Sequence, residues 1–286
     1  MGVGRRGPRQ QARGRPDTRE RHGGGKRPAQ GASGAPAGLD AVFGVHAVRA
    51  LLDRGDTPRE LWVQEGDAEQ RLAELVEMAR RGGARVLVRP RDDLERLASG
   101  ASHQGVVAFC PPLCAESEAS LWFKLEAWPL AAPPLLLVLD GVTDVHNFGA
   151  CLRSADAAGA HGVIVPKDKS APLNATVRKV ASGAAESVPV YQVTNLARAL
   201  ARLKTLGVWV LGTAGEAETA LFDADFTGPV ALVMGAEGKG MRRLTREACD
   251  TLIKLPMAGS VSSLNVSVAA GIGLFEAVRQ RRGGQP

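Results

Sequence analysis

Five consecutive aliphatic residues, Leu135-Leu-Leu-Val-Leu139, run without a polar break into Asp140. A strand with one wet face alternates apolar and polar side chains. An unbroken run predicts a strand buried on both faces, the signature of a parallel sheet clad in helices. The residues that follow fit that frame. Helix patterns are expected over 148–158, 175–185, 195–206 and 242–248, and strands over 162–165, 188–191, 208–211, 230–234 and 252–255. Gly159 and Gly207 stand where the first and third of these helices should stop. Strands alternating with helices imply an α/β domain over residues 135–286.

Upstream lies a smaller unit of the same class. A helix pattern over 46–52, strands at 61–63, 86–88 and 105–109, an amphipathic helix opened by Asp67 and closed by Gly82-Gly83, and a helix over 92–98 make a small α/β module, residues 39–112. Pro111-Pro112 ends it, and residues 113–134, running through an amphipathic piece, Leu121–Trp128, to Pro133-Pro134, read as an interdomain linker.

Residues 1–38 cannot build a core, being rich in Gly, Arg, Pro and Gln. They hold nine of the 36 basic residues and two of the 30 acidic ones, so they carry +7 and the rest of the chain −1. The basic character therefore belongs to a disordered arm. Such an arm adds salt-sensitive affinity for nucleic acid; the alternatives are a solubilising extension or an Arg-rich targeting segment. No apolar run approaches a membrane span and no secretory core is present, so a soluble cytoplasmic protein is expected. Cys110, Cys114, Cys151 and Cys249 lack zinc-site spacing and are expected to be reduced thiols, with no metal.

In open parallel sheets ligands bind beyond the C-terminal ends of strands. Three such ends carry chemistry here: Asp140-Gly-Val-Thr-Asp-Val-His-Asn147 with Arg153 beyond it, Gly235-Ala-Glu-Gly-Lys-Gly-Met241, and the stretch from Leu255 through Ser262, Ser263 and Asn265 into an apolar helix. Taken singly, each residue has an ordinary reading. Asn147 can cap its helix, Arg153 can pair with Asp156, and Glu237 can be a surface carboxylate. Neither glycine-rich loop, 235–240 or 211–215, has the spacing of a nucleotide fingerprint, and Gly212 and Gly215 read as plain turns. The final helix has apolar residues on almost every side, so its first turns are expected to be buried.

These three stretches resemble, in order, the three signature motifs of the SpoU (TrmH-like) RNA ribose 2′-O-methyltransferases, across residues 135–282. Val42-Phe-Gly-Val-His-Ala-Val48 and His103-Gln-Gly-Val106 resemble that family's ribosomal-protein-like substrate-binding domain. The resemblance implies a SPOUT-type parallel sheet with a C-terminal trefoil knot, S-adenosylmethionine folded into the knot, and a homodimer. Carried over by position, it implies functional roles for Asn147, Arg153, Glu237, Ser263 and Asn265, with cofactor contacts at Gly235, Leu255 and Leu264. Met257 is added as a further apolar contact. It also implies that Gly271 and Gly273 permit close helix packing. The branch it favours methylates a guanosine of 23S rRNA in the loop that meets peptidyl-tRNA. A tRNA methyltransferase and a non-catalytic ribosome-assembly factor remain the alternatives.

Overall fold

A computed structural model describes residues 1–2, 35–100, 102–129 and 132–283. The basic arm expected over 1–38 falls almost wholly outside them. Among the described residues twelve strands and eleven α-helices follow in chain order. The first part holds β1 (Asp40–Phe43), α1 (Val45–Asp53), β2 (Glu60–Gln64), α2 (Asp67–Arg71), α3 (Ala73–Arg81), β3 (Arg85–Arg89), α4 (Arg91–Ala98) and β4 (Val106–Cys110). The middle holds β5 (Glu116–Ser117), α5 (Glu118–Glu126), β6 (Leu135–Asp140), α6 (Val145–Ala157), β7 (Gly162–Pro166), α7 (Ala175–Ala181), α8 (Ala184–Ser187), β8 (Val190–Val193) and α9 (Leu196–Thr205). The last part holds β9 (Trp209–Thr213), β10 (Thr219–Ala220), β11 (Val230–Gly235), α10 (Arg243–Glu247), β12 (Thr251–Lys254) and α11 (Val266–Gly283).

The small sheet runs β1-β4-β2-β3, with β2 and β3 parallel and the other pairs antiparallel. Leu51, Leu75 and Val76 from α1 and α3 fill one face, while Leu94 of α4 joins Trp62 and Phe109 on the other. The large sheet runs β10-β12-β9-β11-β6-β7-β8-β5, and every pair is parallel. The aliphatic run becomes its central β6. Leu135, Leu137 and Leu139 enter the core under α6 and α11, and Leu136 and Val138 enter the opposite core under α5 and α9. Both faces are buried, as an unalternating strand requires.

Three local expectations change. Residues 113–134, read as a linker, contain β5 and α5, which extend the large sheet at its β8 edge and cover it with Leu121 and Trp122. The single helix expected over 175–185 breaks at Ser182 and Gly183, both left-handed at φ 53° and 99°. A Cβ on Gly183 would lie 3.0 Å from Ala47 Cα of the small module, so the break brings two backbones together. The module is tied down there by Arg178 donating to Pro111 O (3.2 Å) and by Lys179 donating to Ala98 O (2.7 Å), with Arg178 braced from its own domain by Glu186 (2.5 Å).

The third change concerns α11. Val266, Ala269, Ala270, Leu274 and Ala277 are buried, but Val268 and Phe275 are 51% and 50% exposed, so one face is open. Its two glycines also differ. A Cβ on Gly273 would stand 2.7 Å from Leu232 of β11, whereas one on Gly271 would meet only Ser154 Oγ at 3.4 Å. All four cysteines are free, and burial pushes the Cys110 and Cys151 thiols up to about 12. Among the described residues no helix is long and apolar enough to cross a membrane.

Candidate active site

Strands β12, β9, β11 and β6 are neighbours, and their C-terminal ends release four loops on one edge of the sheet. Residues 213–216, 234–241, 253–257 and 262–264, with the first turns of α11, enclose a cavity of about 460 Å³. That is a size typical of small-molecule sites, roughly 300–1,000 Å³. Gly235, Leu255, Met257 and Leu264, the expected cofactor contacts, all lie on its wall, as do Glu237 and Ser263. The loop after β9, read from sequence as a turn, supplies a wall as well. Its Glu216 pairs with Arg246 at the rim.

The glycine-rich loop is clinched rather than slack. Ala236 and Gly240 exchange backbone hydrogen bonds of 3.1 and 2.8 Å, and Gly238 and Gly240 take φ of 75° and 65°. The returning chain crosses Gly235 so closely that a Cβ there would lie 2.2 Å from both Gly240 C and Met241 N. Gly235 is therefore fixed by a backbone crossing, a demand distinct from contact with a ligand. Beyond the loop, Arg242 donates to Asp140 twice, from its backbone N (2.7 Å) and from Nε (2.5 Å). Asp140 has no solvent exposure, so this pair pins the loop's exit to the end of β6. The motif that begins at Asp140 gives this residue no evident task in the sequence alone. The available signal was a carboxylate terminating a fully apolar strand.

A hydrogen-bonded chain of side chains links the three motifs. Asp144, not Asn147, caps α6, accepting from Asn147 N at 2.8 Å. The Asn147 side chain is thereby released for other partners. Asn265 caps α11: its Oδ1 accepts from Ser267 N (2.9 Å) and Ser267 Oγ (2.6 Å). Its Nδ2 must then donate, and it does so to Asn147 Oδ1 at 2.8 Å. Asn147 Nδ2 is left to donate to Glu237 Oε2, at 3.4 Å. Every amide orientation in this chain is dictated by the helix cap at its far end.

The structure does not bring Arg153 to this cluster. It stands six residues past Asn147, about 9 Å along α6 at 1.5 Å per residue, and lines a second cavity against the small module. Among the described residues it forms no ion pair, with Asp156 or with Glu237. Among those residues there is also no cluster of three or more His, Cys, Asp or Glu side chains suited to a metal.

The profile of the SpoU rRNA Methylase family matches residues 134–275, and that of the RNA 2′-O ribose methyltransferase substrate-binding domain matches residues 41–114. The chain is 57% identical over 245 residues to the 23S rRNA (guanosine-2′-O-)-methyltransferase RlmB of Pseudomonas putida, covering 85% of this chain and 98% of that one. This protein belongs to the SpoU rRNA methylase family. Its RlmB relative in Escherichia coli K12 is 54% identical over 243 residues, covering 85% and 99% of the two chains. Among solved structures, the SpoU methyltransferase AviRb of Streptomyces viridochromogenes, in complex with AdoMet, superposes with a TM-score of 0.69 at 28% identity, covering 87% of this chain and 92% of its own. For a SpoU protein the cavity at the strand ends has an evident occupant class, and its lining can be tested against it. Backbone from two loops, apolar Leu255, Met257 and Leu264, and a crossing that excludes a Cβ at Gly235 make a wall suited to a flat base with polar edges. The residues present fit S-adenosylmethionine.

Proposed function

We propose that this protein transfers the methyl group of S-adenosylmethionine to the ribose 2′-hydroxyl of a guanosine in 23S rRNA, in the loop that meets peptidyl-tRNA. The observation that carries the reading is the Ser267–Asn265–Asn147–Glu237 chain at the lip of the cofactor-sized cavity. The near full-length identity with RlmB proteins of two genera supports the choice of substrate.

When bound, the cofactor supplies a methyl group already activated by its sulfonium. What remains for the protein is to hold a weak nucleophile in line and ease the loss of its proton. In this reading the backbone of Gly235 and Leu255 meets the adenine, with Leu264 and Met257 against its ring. Asn147 and Asn265 orient the ribose, Ser263 holds the hydroxyl, and Glu237 fixes the amide of Asn147. Arg153 clamps a phosphate next to the reacting ribose. A guanidinium stays protonated in essentially all settings, which disfavours Arg153 as the base.

The same reading makes the protein a cytoplasmic homodimer with a knotted C-terminal end. The open face of α11, with Val268 and Phe275, supports a second copy as its cover. Residues 39–112 serve as the RNA-binding domain. Transfer of labelled methyl from the cofactor to unmodified 23S rRNA, with tRNA in parallel, tests the reading. Label on a 23S rRNA guanosine is the expected result. Label on tRNA alone points to the tRNA branch, and cofactor binding with no label on either RNA points to an assembly factor.

A further inference from the structure

A third cavity, about 670 Å³, is walled entirely by the small module. It is bounded by Arg71 of α2, by Arg91 and Glu95 of α4, and by His103 in the loop between α4 and β4. That loop is tightly shaped. Ser99, Gly100, Gln104 and Gly105 all take left-handed φ, at 45°, 86°, 49° and 82°. Two of the four are not glycine, and such strain persists only where the surroundings over-determine it. Here they do. Gly105 N donates to His103 Nδ1 at 3.1 Å, Gln64 N donates to Gly105 O at 2.8 Å, and Gln104 Oε1 accepts from Val45 N at 2.9 Å. Ser102 and Gln104 also line the Arg153 cavity, so the loop is a wall shared by the two.

The loop's shape fixes what His103 can offer. Its Nδ1 is an acceptor, so in the neutral ring Nε2 carries the proton and must donate. Burial holds the imidazole below its ordinary pKa, which keeps it neutral. The residue is 9% exposed and lines this cavity. Among the described residues Nε2 finds no acceptor. Glu95 supplies the opposite chemistry. Arg91 Nε holds one of its oxygens at 2.6 Å, and the carboxylate's other oxygen is left to accept. Arg71 adds a fork of donors.

Charge alone does not explain such a site. Residues 39–112 hold ten basic and twelve acidic side chains, a net of −2, so the module does not gather RNA by its overall field. A neutral imidazole beside a carboxylate is also a poor seat for a phosphate. A base carries what these walls lack. Guanine has acceptors at O6 and N7 and a donor amine at N2, whereas adenine places a donor where guanine has O6. We propose that this cavity reads one unpaired guanine of the RNA substrate, with His103 Nε2–H and Arg71 on O6 and N7 and Glu95 on N1–H and N2–H. Unpaired loop bases are what sequence-specific RNA-binding proteins read, because they can be turned out of the stack. The proposal rests on the RNA methyltransferase reading and extends it. It makes the module a selector of sequence, separate from the centre that transfers the methyl group.

The test titrates the full-length protein with two pentaribonucleotides, UUGUU and UUAUU. UUGUU should bind about tenfold more tightly, the worth of one good base contact, and should shift the His103 imidazole signals where UUAUU does not. His103→Asn keeps an acceptor for Gly105 N but is too short to donate into the cavity, and should erase the preference. His103→Gln, whose amide reaches as far as Nε2, should retain it. Glu95→Gln, at an exposed position, leaves the loop alone and should also bring the two affinities together. The two variants that lose the preference should raise the KM for 23S rRNA severalfold while cofactor affinity holds. Equal affinity of the unaltered protein for the two pentanucleotides, imidazole signals unmoved by UUGUU, or a preference that survives His103→Asn and Glu95→Gln overturns the pocket. Methyl transfer to 23S rRNA is assayed in the same preparations. Normal transfer without a base preference sinks the pocket alone, whereas absent transfer to any RNA sinks the reading beneath it.

Discussion

At the scale of single residues, Asn147 is held between a donor and an acceptor whose identities are fixed elsewhere. Asn265 must present its Nδ2 because its Oδ1 caps α11, and Glu237 offers only acceptors. Asn147→Asp keeps the shape but sets a carboxylate against Glu237. Misplacement at a reacting centre of this kind lowers kcat by about 10²-fold, and cofactor affinity should stay within about threefold because the cavity wall is untouched. Adding Glu237→Gln restores a donor opposite the new carboxylate and should recover at least tenfold in kcat. A double variant no better than the single would show that repulsion from Glu237 is not what the substitution costs. Arg153→Lys is expected to raise the KM for RNA about tenfold, since an ammonium cannot grip a phosphate with two parallel bonds; wild-type kinetics would count against a clamp. The three polar loops were legible in the sequence because strand ends in parallel sheets are where ligands sit. The assignment of Asn147 as a possible cap was not sound. An Asp three residues earlier competed for that task, and only the helix start, displaced from 148 to 145, decides between them.

At the scale of elements, α11 separates two glycines that look alike in sequence. Gly273→Ala drives a methyl to 2.7 Å from Leu232 of β11 and should destabilise by about 1–3 kcal/mol, as overpacking does. Gly271→Ala meets only a serine hydroxyl at 3.4 Å and should be neutral, or stabilise by up to about 1 kcal/mol through helix propensity. Thermal unfolding of the two variants side by side checks this, and equal shifts would remove the distinction. On the open face, Phe275→Asp should lower the sedimentation coefficient toward that of a monomer; an unchanged value would mean that no second copy covers this face. The sequence showed the helix to be apolar nearly all round, but hydrophobicity alone does not separate a buried face from one reserved for another subunit. Residues 113–134 failed for a related reason. A two-residue strand and a nine-residue helix beside Pro133-Pro134 give a pattern too short to outweigh the prolines.

At the scale of the whole molecule, the sheet order β10-β12-β9-β11-β6-β7-β8-β5 was beyond the sequence. Periodicity shows that strands are buried without showing who their neighbours are. One consequence of the assembled fold is a sign for its pH dependence. His161 Nδ1 accepts from Leu135 N at 3.0 Å, at the start of the central strand. Burial first, and then the positive Arg281, hold this imidazole below its ordinary pKa. The unfolded chain therefore takes up the proton at higher pH than the folded one. Stability should be level above about pH 6.5, the ordinary histidine value, and decline as pH falls below it toward the depressed folded value. His103, lowered chiefly by its own burial, acts in the same direction. Urea midpoints at pH 7.5 and 5.5 measure the decline, and His161→Gln should reduce it. Deleting residues 1–38 should flatten the salt dependence of RNA binding and leave cofactor affinity unchanged.

Chain order within the large sheet has a further consequence. The walls of the cofactor cavity come from residues 213–216, 234–241, 253–257 and 262–264, with Val266 and Ala269 of α11. Residues 39–112, the module, are all made well before any of them. A chain emerging from its own ribosome, N-terminal end first, can thus fold the module early. It gains the means to hold a methyl donor only when α11 is free of the exit tunnel. The means to hold the methyl donor are thus made after the small module, and the two appear in that order during synthesis.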